Sequence, residues 1–255
     1  MTRINLYTII ILGLSLLAFG CSHHAYVSLT PGEDIRDIEI PSGSIERIPN
    51  QFSAIIVGLA YQKDTDRIFA RLIPGTSMRE IDRKTGAIIR SFVARQVTAG
   101  CGGMSPVTNQ PVTECGLAMR WSDKHFFLDN PNGNPITEVD FNGNFVRNIL
   151  LQHSSGPIGG LAYDQRTDTI YVLYISIMTV AEYDLNGREI RRFRPQALIQ
   201  PQGMSISSDR RELYIPLVNA TRMGVFDLGG ALKASHRLPS VGFAGGVGAG
   251  PRTGR

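Results

Sequence analysis

Residues 160–193, GLAYDQRTDTIYVLYISIMTVAEYDLNGREIRRF, decide how the chain folds. The phrase Gly160-Leu161-Ala162-Tyr163 leads into a polar turn, and Ile170-Tyr171-Val172-Leu173 follows with the branched and aromatic residues of a strand. Glu182-Tyr183-Asp184 then brings an acid up to Gly187, and Glu189-Ile190-Arg191-Arg192-Phe193 continues beyond it. Acid and glycine together predict a hairpin. A short carboxylate accepts backbone N–H groups in a turn, and glycine supplies the positive φ of a tight reversal. The stretch reads as four antiparallel strands.

The same template recurs with a period of about 43 residues. Its openers are Gly58-Leu59-Ala60-Tyr61, Gly116-Leu117-Ala118-Met119, Gly160-Leu161-Ala162-Tyr163 and Gly203-Met204-Ser205-Ile206. Second strands follow at Arg67-Ile68-Phe69-Ala70, His125-Phe126-Phe127-Leu128, Ile170-Tyr171-Val172-Leu173 and Leu213-Tyr214-Ile215. Third strands end at Asp82, Asp140, Asp184 and Asp227, ahead of Gly86, Gly143, Gly187 and Gly230. The distance from opening to turn glycine is constant to within one residue. The connection from Gly86 to Gly116 is longer and holds an insertion at about 95–115.

Four-stranded units of this length predict an all-β fold, a β-propeller, with residues 21–255 as one domain. The chain ends supply a fifth blade in two pieces. Gly245-Gly246-Val247-Gly248 echoes an opener, and Ala25-Tyr26-Val27-Ser28-Leu29 precedes Ile38-Glu39-Ile40 and Gly43 as Ile170-Tyr171-Val172-Leu173 precedes Tyr183 and Gly187. Closing the ring this way removes exposed sheet edges. A truncated six-bladed propeller is the alternative.

Residues 1–20 have the parts of an export signal: Arg3, an apolar run from Leu6 to Phe19, and small Gly20 before Cys21. The run is short for a membrane span. Leu17-Ala18-Phe19-Gly20-Cys21 resembles a lipoprotein signal, with Cys21 as lipid attachment site. Ala18 stands where such signals commonly have Leu, Val or Ile, and ordinary signal cleavage beside an incidental cysteine is the alternative. Ser22 after the cysteine favours the outer membrane of a Gram-negative envelope, and His23 and His24 read as linker. Cys101 and Cys115, outside the reducing cytosol, are expected to pair and staple the insertion. Such a closure contributes about 3 kcal/mol in the chain-entropy model.

The net charge of +4 is spread among acids. Arg188, Arg191, Arg192 and Arg194, the densest basic cluster, fall on an edge strand, where charge discourages aggregation. Nucleic-acid binding is not expected.

In a propeller of this strand order, the connections into first strands and those between second and third strands share one face. That face gathers Ser53, the Cys101 to Cys115 insertion with Glu114, the run Asp129-Asn130-Pro131-Asn132-Gly133-Asn134, His153 and Gln202. Its oxygen donors suit calcium, although the spacing of an EF-hand loop is absent and Asn, Pro and Gly also make ordinary turns. No cofactor or metal site is therefore predicted. His153 could act with Glu114 in acid–base chemistry.

The blade pattern resembles NHL-type and YncE-like bacterial propeller lipoproteins in its opening glycine phrase, Ile-Tyr-Val second strand and acid-to-glycine hairpin. The resemblance implies fold alone, because those residues pack and turn, and the family includes binding modules, lactonases and lyases. Propeller lactonases place Glu, Asn and Asp around a central cation; Glu114 is the one acid near a first-strand entrance here, and the set does not match. The expectation is a binding or scaffold propeller with a protein or saccharide partner. A cation-assisted hydrolase or lyase of lactones or saccharides is the alternative.

Overall fold

Each repeat folds into the four strands its pattern predicts, because the alternating apolar residues need two covered faces and the Asp–Gly hairpins reverse the chain on schedule. The computed structural model describes residues 22–252 except 31–33, 50, 52–53, 74, 98–102, 105–110, 113–114, 131–132, 201, 219–220 and 239–242. The head contributes β1 (His23–Thr30), β2 (Ile35–Ile40) and β3 (Ile45–Ile48). A first full blade follows in β4 (Ile56–Gln62), β5 (Arg67–Leu72), β6 (Ser77–Asp82) and β7 (Ile88–Val93). Within the insertion, β8 (Gly103–Met104) pairs with β9 (Pro111–Val112).

The second full blade is β10 (Leu117–Arg120), β11 (His125–Leu128), β12 (Ile136–Val139) and β13 (Phe145–Ile149). The third is β14 (Ile158–Asp164), β15 (Thr169–Tyr174), β16 (Thr179–Tyr183) and β17 (Glu189–Phe193). The fourth is β18 (Ser205–Ser207), β19 (Glu212–Pro216), β20 (Arg222–Asp227) and β21 (Leu232–Arg237). The tail strand β22 (Phe243–Pro251) pairs antiparallel with β1, so the closing sheet runs β22-β1-β2-β3. Five blades of four strands close into a propeller, and the truncated six-bladed alternative is not what the chain adopts.

Register shows why the split blade works. Ala60 lies opposite Phe69, Ala118 opposite Phe127, Ala162 opposite Tyr171 and Ser205 opposite Tyr214. In the closing blade Gly248 lies opposite Tyr26. All five aromatics are fully buried, so a small residue on the innermost strand makes room for a ring on the second. The glycine-rich tail looks too poor to pack, yet Tyr26 stacks on Tyr61 at 4.7 Å and a Cβ at Gly250 would stand 2.6 Å from the Tyr61 ring. The tail is small because two tyrosines fill its side of the seam.

The opener glycines face the next blade. A Cβ on Gly58 would lie 2.8 Å from the Leu117 Cβ, and one on Gly160 2.7 Å from the Met204 nitrogen. The innermost strands touch in the circular order β4, β10, β14, β18, β22 and back to β4. Glycine at this position sets how closely the blades approach around the axis.

Candidate functional site

The upper face carries the connections into first strands and between second and third strands; the lower face carries the remaining turns. Asp129 belongs to the upper side, but burial takes it out of reach of a ligand. Its carboxylate pairs with Arg71 of the preceding blade at 2.5 Å, both side chains being almost wholly buried. Arg71 also donates to the carbonyls of Gly75, Gly116 and Asp129 at 2.7, 2.7 and 2.9 Å. Burial pushes the Asp129 carboxyl up to about 6 against the pull of Arg71, and it pushes the guanidinium down. The cation this acid meets is a guanidinium.

Asn130 is a loop holder. Its amide donates to the Pro135 carbonyl at 2.7 Å and the Thr137 hydroxyl at 3.0 Å, while its own carbonyl accepts the Gly133 N–H at 2.7 Å. Asn134 holds Leu151 in the same way, accepting its N–H at 3.0 Å. His153 is exposed at φ +54°, and its carbonyl accepts from Arg192 at 2.8 Å. Gln202 accepts a side-chain hydrogen bond from Gln200. Asp129, His153 and Gln202 belong to three different connections. Cys21, Ser53, Cys101, Glu114 and Asn132 lie outside the described residues. Cys115 is buried beside the central axis.

At its upper end the central axis is walled by the opener phrases, such as Gly58-Leu59 and Gly160-Leu161, packed too closely to leave room for a water molecule. This wall is glycine backbone and apolar side chain, and among the described residues it offers no carboxylate to a cation. The lower mouth holds a small space of about 20 Å³, bounded by Tyr61, Trp121, Tyr163 and Gln165. Blades are hooked together there. Trp121 Nε1 donates to the Tyr61 carbonyl at 2.8 Å, and Gln165 accepts the Trp121 N–H at 2.9 Å while donating to the Met119 carbonyl at 2.7 Å.

Sequence reasoning missed one cluster with metal-ligand chemistry. Asp123, His125 and Glu138 present donor atoms within 4.8 Å of one another. Arginines already fill it: Glu138 accepts from Arg120 at 2.7 Å, Arg147 at 2.6 Å and His125 at 2.7 Å. Burial raises the Glu138 pKa, but the His125 and Arg147 hydrogen bonds and the Arg120 charge hold it below the usual carboxylate range. The arrangement is also periodic. Glu80 pairs with Arg90 at 2.5 Å and Glu182 with Arg191 at 2.6 Å at the equivalent cross-strand positions. A pair repeated in three blades belongs to the blade design; the third-strand glutamate and fourth-strand arginine columns were the available signal.

The arginine-rich edge strand follows the same rule. Arg188, Arg191 and Arg192 on or beside β17 pair with Asp184, Glu182 and Glu189. Their charge is largely engaged within their own blade.

His23 and His24 are not linker, which corrects the sequence reading. Both lie in β1, opposite Pro251 and Gly250 of β22, because the chain enters the sheet immediately after Ser22. His24 is buried, with Nδ1 2.5 Å from Asp37 and Nε2 2.9 Å from the Ser22 hydroxyl. Arg83, itself bonded to Asp66 at 2.7 Å, stands 3.6 Å from the other Asp37 oxygen. Serine, histidine and aspartate in this order can activate a nucleophile, and they can equally fasten a strand. Their place is the seam where no covalent loop joins β22 to β1, so fastening accounts for them. The amide N–H of Arg252 completes it by donating to the Ser22 carbonyl at 2.9 Å.

No protein-family model matches the chain, and no curated protein matches it. Solved structures do. A chain of the crystal structure of a nidogen/laminin complex superposes with TM-score 0.60 at 11% identity, over 89% of this chain and 98% of that one. A protein of unknown function from Bacteroides caccae is similar with TM-score 0.48 at 14% identity, over 85% and 73% of the two chains. The first likeness is one of fold. The class is settled: this is a β-propeller of five four-stranded blades. That fold is compatible with a binding or scaffold role.

Proposed function

We propose that the protein is a lipid-anchored envelope propeller that binds a protein or saccharide partner through its insertion-bearing face and performs no catalysis. The observation that supports this most is the engagement of its charged groups. Asp129, Glu138 and Glu182 are each paired with arginine in a way that builds or joins blades. What remains for variation on such a scaffold is the long connection between the first two full blades, and long connections on rigid scaffolds carry recognition. In this reading Cys101 and Cys115 form a disulfide that holds the insertion in one shape, and Cys21 carries the lipid that fixes the protein to the outer membrane. The nidogen/laminin chain of similar fold comes from a complex, which agrees with a recognition role without naming a partner.

The test is deletion of residues 99–114. In-cell cross-linking from the upper face is expected to lose its envelope adducts while circular dichroism stays as in the parent. Adducts retained at full yield would place recognition elsewhere. Globomycin-sensitive processing and palmitate labelling that disappears in Cys21→Ala test the anchor.

A further inference from the structure

The lower face is where the chain enters the ring. β1 starts there, opposite the end of β22 and the end of β2, and His23 Nδ1 lies 3.1 Å from the Ser207 hydroxyl at the foot of the neighbouring blade. Ser22 is already fastened, with its hydroxyl 2.9 Å from His24 Nε2 and its carbonyl accepting the Arg252 N–H at 2.9 Å. A flexible tether lets a domain wander roughly 5–6 Å times the square root of its residue number. Between the site of lipid attachment and the first fastened residue no tether residues remain, only one peptide unit of about 3.8 Å.

We propose that the propeller lies with its lower face flat against the lipid headgroups and presents its insertion-bearing upper face away from the bilayer. The proposal rests on the lipid-anchor reading of Cys21. The face fits a headgroup layer rather than the acyl region. Its turn tips are polar, with Lys84, Arg166 and Arg188 exposed beside Asp64 and Asp209. The exposed apolar residues Ile177, Leu198 and Val218 lie in upper-face connections, while Ile45, Ile88, Phe145 and Leu232 open the outermost strands of their blades at the lower end. Close approach by the lower face therefore requires no burial of unpaired charge in hydrocarbon, and the zero-length tether supplies the orientation. Partner capture by the opposite face then occurs on the side turned to the aqueous compartment.

The experiment uses the full lipidated protein in vesicles of phosphatidylethanolamine and phosphatidylglycerol, under non-reducing conditions. Arg166→Cys places a thiol on a lower turn tip, and Ile177→Cys places one on the upper face. The expected result is loss of maleimide-polyethylene-glycol labelling at Arg166→Cys on vesicles, with full labelling of the same variant in Cys21→Ala soluble protein and full labelling of Ile177→Cys in both. Inserting a Gly-Ser linker of about twelve residues between Cys21 and Ser22 is expected to restore labelling. Equal labelling of Arg166→Cys on vesicles and in solution, with palmitate incorporated, overturns the orientation alone. Absence of palmitate overturns the anchor reading and the orientation with it.

Discussion

Asp129 and Arg71 lie far apart in sequence and meet where the first two full blades join, under the wall around the central axis. Two ions withdrawn from water are held by their mutual bond and by the carbonyls that take the remaining guanidinium protons. Removing one partner leaves the other buried and uncompensated. Asp129→Ala is therefore expected to lower stability by about 3–5 kcal/mol in urea denaturation. The double change to Leu at Asp129 and Met at Arg71 should recover most of that loss, because a buried pair and an apolar pair of similar volume are often close in energy. A single-variant loss as small as that of a surface substitution would show that the pair is not buried as described. Sequence reading placed Asp129 on the candidate ligand face for a simple reason: an Asp-Asn run carries the oxygen donors of a cation loop, and nothing local reveals that an arginine from another blade is already there.

At the scale of the element, the hairpins carry the prediction. Asp184 accepts the N–H groups of Asn186 and Arg188 at 2.9 Å each, ahead of Gly187 at φ +81°. Asp140 does the same for Asn142 and Asn144 at 2.8 Å each, and Asp227 for Gly229 and Ala231 at 2.8 and 2.9 Å. The Arg188 N–H is the leading cause that lowers the Asp184 pKa in the fold; at Asp140, burial is outweighed by the bonds from Asn144 and Asn142. A carboxyl depressed by folding binds fewer protons in the native than in the unfolded state. Its contribution is present above the unfolded value of 3.8 and is lost as pH falls through the lower native one. The thermal midpoint is thus expected to fall below about pH 4, with a shallower fall in Asp184→Asn. An unchanged pH profile in that variant would remove the hairpin carboxylate as a cause. These turns were legible because acid, turn and glycine are neighbours in sequence. The glutamate–arginine columns were only half legible, since each half is visible on its own strand and the pairing appears only with register.

For the whole molecule the decisive feature is the seam. Opener, aromatic and hairpin columns marked the fifth blade from both ends, and the observed register sets Tyr26 against Gly248 as Tyr171 is set against Ala162. Hidden from the sequence was what replaces the missing turn: Ser22, His24, Asp37, Arg83 and Arg252, drawn from both ends and the first blade, so that no local spacing announces them. Noncovalent closure of this kind makes ring integrity depend on the tail strand. Deleting residues 243–255 would strip β1 of one partner and expose the inner strands of both neighbouring blades, so the shortened soluble protein is expected to lose its cooperative melt. A circular permutant that joins Arg252 to Ser22 by a short Gly-Ser turn and opens the chain in the exposed turn 166–168 tests the same point in the opposite direction. It keeps every strand pairing and turns the fastened seam into an ordinary hairpin, so it should fold with a midpoint at or above that of the parent. Permutation succeeds where the new ends are exposed and the old ones lie close. Once the loop is covalent, His24→Ala should cost less in the permutant than in the parent, because the relay then no longer carries closure alone. Equal losses in the two backgrounds would show that His24 stabilises the blade interior and not the seam.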